Sequence, residues 1–351
     1  MHQNHLYIYT LIIIHHFKLH QPPKTLSKPL LSFSIKLMAS TYCQSAKILV
    51  LLHLISLISS CLEARKLASL YQTPPVVLTY HNGKLLEGDI PVSILWYGEF
   101  SPSQKSTIAD FLLSLTYYQK GDSSKIPTVS NWWKTIQIYM KKAGKKETRV
   151  YLSNQVSDKN YSLGKLLKKP QISELALKAY KTSKPNELAI VLTAKDVAVE
   201  GFCMSNCGLH GSISKFNSAA FIWVGNSVTQ CPGQCAWPFH QPTYGPQTPP
   251  LVAPNGDVGV DGMIVNIATL LAGAVTNPYG NGYFLGSANA PLEAASACPG
   301  VYVSGAYSGY AGKLLVDSET GASYNAIGLN GRKHLLPALF DPLTFQCSTL
   351  V

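Results

Sequence analysis

The sequence is short of charge and shortest of acid. Only 13% of its 351 residues are charged, and no Asp or Glu occurs before Glu63. No Gly/Ser-rich or charged stretch separates two apolar regions, so no linker divides the chain, and no internal repeat points to a solenoid or propeller. The uncharged run at residues 48–58 is shorter than the about 20 residues needed to cross a bilayer, and no second run long enough to cross a membrane occurs. Nucleic-acid-binding motifs are missing, so the basic balance of +11 does not point to nucleic acid. The cysteine pairs lack the two-residue internal spacing usual in zinc knuckles. The Gly-x-Ser-x-Gly turn of a nucleophilic serine is absent around Ser212.

What is present begins with an N-terminal leader. Residues 1–37 carry His, Lys and Pro without periodicity and read as a gene-model extension or part of a long leader. From Met38 the pattern changes: Lys47 precedes the apolar run 48–58, and small residues Ser59-Ser60-Cys61 follow. A basic n-region, an apolar h-region of about 7–15 residues and a small-residue cleavage site make a secretory signal peptide. The expected domain organisation is therefore an extension at 1–37, a signal peptide at 38–61 cleaved near Cys61 or Ala64, and one domain at 62–351.

Removal of the leader leaves 24 basic and 18 acidic residues, net +6. The charge is uneven: residues 120–184 hold 15 Lys/Arg against 4 Asp/Glu, net +11, and the rest of the mature chain is −5. In a secreted protein such a face suits an acidic polymer, with Lys141, Lys142, Lys145 and Lys146 as its densest cluster.

Strand and helix signals alternate along the mature chain. Strands are expected at 76–80, 90–97, 150–152, 187–193 and 219–224, the fourth a continuous apolar run suited to a sheet centre. Helices are expected after Ser101-Pro102, at 131–142 with Ser130 as cap, and at 170–181. The run 258–275, between Asn255-Gly-Asp257 and Thr276-Asn-Pro278, reads as a buried helix. The expected fold is α/β or α+β, a single domain with a mixed sheet and packed helices.

Six cysteines remain in the mature chain: Cys203, Cys207, Cys231, Cys235, Cys298 and Cys347. An even number in a secreted chain favours three disulfides, and sequence leaves all 15 connectivities open. The alternative is a zinc site built from the two Cys pairs with His210 and His240.

Trp223-Val-Gly-Asn-Ser, Cys231-Pro-Gly-Gln-Cys-Ala-Trp-Pro-Phe-His-Gln-Pro, Asp257-Val-Gly-Val-Asp-Gly-Met and Thr276-Asn-Pro-Tyr-Gly-Asn-Gly-Tyr resemble motifs of the plant EXORDIUM family, also called phosphate-induced proteins. So do Gly309-Tyr-Ala-Gly, Gly321-Ala-Ser-Tyr-Asn-Ala and Gly331-Arg-Lys-His-Leu-Leu-Pro-Ala-Leu. The resemblance spans residues 78–351. It implies an extracellular, apoplastic cell-wall protein connected with brassinosteroid-responsive growth, cell expansion and adjustment to low carbon supply. It implies no particular reaction and no cofactor.

A fainter resemblance lies in the buried helix. Distant relatives read approximately His-Glu-x-x-Glu-Ala-x-Thr-Asp-Pro there, as zincin-type metallopeptidases place ligands and base on one helix face. Aligned on Thr276-Asn-Pro278, this chain has Thr269, Leu270 and Gly273 at those positions. The scaffold implied is at most a degenerate zincin-like one, without a metal site.

Other candidates are weaker. Asp257 and Asp261, one turn apart, read as helix-capping acids before they read as paired catalytic or Ca²⁺-binding carboxylates. Trp237, Phe239, His240 and Tyr244 form an aromatic, proline-rich stretch able to stack on sugar rings or to pack as a rigid loop. Asn160-Tyr-Ser162 is an N-glycosylation sequon. Two readings follow. The first is a non-enzymatic secreted wall protein that binds acidic polysaccharide or an extracellular receptor. The second is a secreted hydrolase with a site near His210, His240 and Asp257, with Ser212 as a conceivable nucleophile.

Overall fold

The computed structural model describes residues 47–58, 75–117, 126–180, 186–204, 206–213, 219–287, 290–307 and 309–351. The extension at 1–37 and the cleavage region at Cys61 and Ala64 lie outside the described residues. The chain divides into two units, 1–74 and 75–351. In the first, the described part is one helix, Lys47–Ile58, whose apolar side chains are exposed along its whole length.

The second unit is a mixed α/β domain built on five strands: β1 (Gly88–Tyr97), β2 (Thr148–Asp158), β3 (Leu188–Thr193), β4 (Gly208–Ile213) and β5 (Ala219–Gly225). Their order is β2-β1-β3-β5-β4; the first four run parallel and β4 is antiparallel to β5. Every residue of β3 is buried, as its unbroken apolar sequence requires of a strand covered on both faces. Pro91 sits in β1 without breaking the sheet, because pairing with β3 begins only at Val92. One side of β1 is therefore free of the ladder where the proline lacks its N–H.

β2 extends well past the apolar 150–152 into Ser153-Asn-Gln-Val-Ser-Asp158. Its burial alternates, as in an edge strand with one wet side. β4 carried no strand signal, since Gly-Leu-His-Gly-Ser-Ile has two glycines and one β-branched residue. It forms because it covers the free edge of β5.

Four helices clothe the sheet: α1 (Pro102–Ser114), α2 (Val129–Lys142), α3 (Lys169–Ala179) and α4 (Val258–Thr276). α1 has Ser101 as N-cap, Pro102 in its first turn, and the reciprocal Ser101–Gln104 capping box. α2 is capped by Thr128 rather than Ser130, with the Thr128 hydroxyl accepting from the Asn131 N–H. Its Trp132 and Trp133 are buried, and their indole N–H groups donate to Pro337 O at 2.7 Å and Thr148 Oγ1 at 3.2 Å. The β1-to-β2 and β2-to-β3 crossovers move in opposite directions along the sheet. Right-handed connections therefore put α1 and α2 on one face and α3 on the other.

α4 lies beside α1 and packs on β5 and β4. The expectation that no second run is long enough to cross a membrane is corrected here, since α4 is so by length and composition. Most of it is buried against protein, however, which makes it a core helix. Beyond it, residues 277–351 form short two-stranded ladders around a small second core of Phe239, Val265, Tyr302, Ala311 and Leu335.

Candidate functional site

The cysteine region is drawn onto α4 by disulfides. Cys203 bonds Cys231 and Cys207 bonds Cys235, each across 28 residues, and Cys298 bonds Cys347 across 49. All six cysteines within residues 62–351 are thus consumed, and the zinc reading of the two Cys pairs is overturned. The two parallel rungs pin the 201–207 loop to the helical turn Pro232–Cys235. Asn266 of α4 donates to Cys235 O at 2.8 Å. Gly262 lets the backbones meet, since a Cβ there would stand 2.7 Å from the Ala236 Cβ.

His210 faces α4 from β4. Its Nε2 is 2.8 Å from Glu293 Oε2, and Glu293 Oε1 accepts from Asn277 Nδ2 at 2.7 Å. Asn277 Oδ1 in turn accepts from the Gly282 N–H at 2.7 Å. Both members of the His210–Glu293 pair are largely buried. Gly273 makes the room: a Cβ there would lie 2.5 Å from Glu293 Oε2 and 2.9 Å from His210 Nε2. Sequence reasoning missed Glu293. Its signal is that it is the sole acid in residues 262–316, set among Pro291-Leu and Ala294-Ala.

The two acids at the start of α4 do different work. Asp257 is the N-cap, accepting from the Val260 N–H at 3.0 Å, and its other oxygen accepts from Gln104 Nε2 at 2.8 Å. That bond ties the first turns of α1 and α4 together. Asp261 is buried and accepts from the Asn255 N–H at 2.8 Å and Asn255 Nδ2 at 2.6 Å. Burial pushes its carboxyl up to about 6, against the pull of those two bonds. Asn255 Oδ1 accepts from Arg332, whose Nε donates to Asp110 Oδ2 at 2.8 Å. With Asp317 and Lys333, an ion pair, these groups line a shallow polar depression of 290 Å³.

The aromatic stretch splits. Phe239 is buried in the second core, and Trp237 packs on Tyr302 with ring centroids 5.6 Å apart. His240 is exposed, with Nδ1 3.0 Å from Gln241 O. Tyr244 is 88% exposed. Among the described residues no hydrogen bond joins any two of His210, Ser212, His240 and Asp257. Asn160 is exposed in the turn after β2.

The basic segment is divided by β2. Lys141, Lys142, Lys145 and Lys146 precede it, at the end of α2, whereas Lys159, Lys165, Lys168 and Lys169 follow it. Eleven residues of strand put roughly 35 Å between the two groups. Lys159 and Lys165 pair with Glu99 and Asp196. In the lower group Lys145 lies 3.7 Å from Glu87 and Lys142 donates to Pro342 O at 2.8 Å. Lys141 and Lys146 have no ion pair among the described residues.

The expected zincin-like scaffold finds no support. On α4 the Thr269 hydroxyl donates back to Val265 O at 2.9 Å, and Leu270 packs where Gly208 leaves space. Among the described residues no three His, Cys, Asp or Glu side chains gather as a metal site.

The family model described as the phosphate-induced protein 1 conserved region matches residues 78–350. The chain is 57% identical to Protein PHOSPHATE-INDUCED 1 of Nicotiana tabacum over 87% of this chain and 98% of that one. It is 56% identical to Protein EXORDIUM-like 2 of Arabidopsis thaliana, covering 81% of this chain and 93% of the relative. With Protein EXORDIUM of the same plant the identity is 54%, over 85% and 96%. No solved structure matches the chain.

Proposed function

The chain belongs to the phosphate-induced protein 1 (EXORDIUM) family, and from that premise we propose that it is a secreted, apoplastic protein that acts by binding rather than catalysis. The observation that carries the reading is the set of three disulfides, which persist in an oxidising compartment and not in a reducing one. The short apolar helix Lys47–Ile58, with Lys47 ahead of its uncharged run, agrees with a secretory h-region. Against catalysis stand Thr269 and Leu270, which offer neither a metal ligand of His type nor a base. The proposed setting is brassinosteroid-responsive growth, cell expansion and low-carbon adjustment.

The proposed partner is acidic wall polysaccharide, met by Lys141, Lys142, Lys145 and Lys146. The division of the basic segment narrows this contact to the lower cluster. The experiment is N-terminal sequencing of the protein from tissue. The chain is expected to begin after Cys61, near residues 62–66, in a wall fraction, with at most one N-glycan, at Asn160. A cytosolic pool beginning at Met1 would sink the reading.

A further inference from the structure

Tyr307 and Tyr310 face each other as an antiparallel bridge, with Gly309 in the turn between them. The Tyr307 N–H donates to Tyr310 O at 3.0 Å, and the Tyr310 N–H returns to Tyr307 O at 2.8 Å. Gly309 has φ +93°, a left-handed value that glycine adopts without strain. Residues that exchange both bonds stand directly opposite, so the two side chains share one face. Their ring centroids are 5.3 Å apart at 44°, within direct aromatic contact.

Accessibility separates this pair from the other tyrosine contacts. Tyr80–Tyr283, Tyr139–Tyr283 and Tyr97–Tyr161 are similarly close, but each includes a ring sealed in the core. Tyr307 and Tyr310 are 62% and 43% exposed. Neither phenol hydroxyl has a hydrogen-bond partner among the described residues. The pair is therefore both pre-paired and reachable from solvent.

We propose that Tyr307 and Tyr310 are an oxidative modification site, at which a peroxide-driven haem peroxidase forms an intramolecular tyrosine–tyrosine cross-link. Each phenol loses one electron and one proton to the peroxidase. The two phenoxyl radicals pair their electrons in a new bond between ring carbons ortho to oxygen. The hydrogen on each coupled carbon then moves to its oxygen and restores the phenol. In sum two hydrogens leave the protein and one hydrogen peroxide becomes two waters. The link would close the tip of this turn covalently, in a region otherwise built of short ladders. The proposal rests on the extracellular reading only for where the oxidant is met; its chemistry is tested on purified protein, so the two fail separately.

The test treats the purified protein with a haem peroxidase and limiting hydrogen peroxide. The expected product is a monomer lighter by two hydrogens, with dityrosine fluorescence and a linked peptide joining 307 to 310. Tyr307→Phe and Tyr310→Phe should each lose the product, and Tyr244→Phe should keep it. Tyr244 is the sharper control, because at 88% exposure it would react first if exposure alone decided, giving linked dimers. Both Phe variants retain the backbone bonds of the turn, and an unchanged thermal midpoint shows that they fold. No mass loss, a link mapped to other tyrosines, dimers alone, or a product surviving in either Phe variant overturns the proposal.

Discussion

Residues 88–225 and residues 277–351 are held together in different ways. In the first, five strands bury long apolar side chains between helices, and several polar groups inside are paired with one another. Ser93 donates to Glu187 at 2.9 Å, and the Trp223 indole to Thr193 at 3.1 Å. In the second, the ladders are two or three residues long and cannot supply a sheet's cooperativity. Side-chain bonds to backbone take over. Buried Asn325 donates to Tyr302 O and Leu336 O, and accepts from the Leu336 N–H, all at 2.8 Å. The Cys298–Cys347 disulfide closes the part of it from 298 to 347. The sheet half rests on burial around a continuous five-stranded ladder, while the loop half adds a cross-link and side-chain-to-backbone bonds to the apolar side chains it buries, Leu336, Leu339 and Phe340 among them.

The largest effect should come from the sheet half. Trp223→Ala removes a fully buried indole next to Phe202 and strands the Thr193 hydroxyl. It should cost about 3–5 kcal/mol, read as a lower denaturant midpoint. Loss of less than about 1 kcal/mol would show that the sheet does not carry the stability assigned to it.

Second comes the Cys298→Ser, Cys347→Ser pair, expected to cost about 2–4 kcal/mol. The loss should fall on residues 277–351, seen as faster amide exchange there than in β3. Uniform acceleration across both regions would remove the distinction drawn between them.

Third, Asp261 on α4, which lies in the chain between the two regions, and His334 in the second region oppose each other in pH. Asp261 has its carboxyl raised to about 6 by burial, so its contribution is full below the unfolded value of 3.8 and is lost as pH rises through 6. His334 is fully buried and pushed down to about 3 by desolvation and then by Arg332. Its contribution is full above the unfolded value of 6.5 and is lost as pH falls toward 3. Between about pH 4 and 6 the two slopes oppose, each worth up to about 1.4 kcal/mol per unit. Relative to the natural chain, Asp261→Asn should gain stability with rising pH over this window, and His334→Phe should lose it. Equal slopes in all three proteins would refute the assignment.

The smallest effect on stability belongs to the surface. Charge reversal at Lys141, Lys142, Lys145 and Lys146 should leave the thermal midpoint nearly unchanged. It should advance elution from de-esterified pectin on a salt gradient, since the Debye length falls from about 10 Å at 0.1 M to about 3 Å at 1 M. Reversal at Lys165 and Lys169, beyond the far end of β2, should shift elution less. The reverse ranking would move the contact to the other end of the sheet.

Local signals fixed much of this architecture without tertiary help. The α1 start is written in Ser101-Pro102 and Gln104, and β3 in five consecutive apolar residues, Leu188 to Leu192. α4 follows from its Asp257 cap and the stop at Asn277-Pro278. Each signal is legible because the residues that cause it are neighbours in the chain. The six cysteines within residues 62–351 likewise point to disulfides, though not to their partners.

Tertiary structure decided what depends on residues far apart in sequence. β4 exists because β5 has an edge to cover, and the polar end of β2 exists because β1 templates it. The cysteine pairing needs the 201–207 loop and the 231–235 turn at one place on α4. Glu293 becomes a partner of His210 only when Gly273 leaves a gap between them. The basic segment, continuous in sequence, is parted because a strand runs through its middle. Composition counts charge along a line, whereas the fold places it in space.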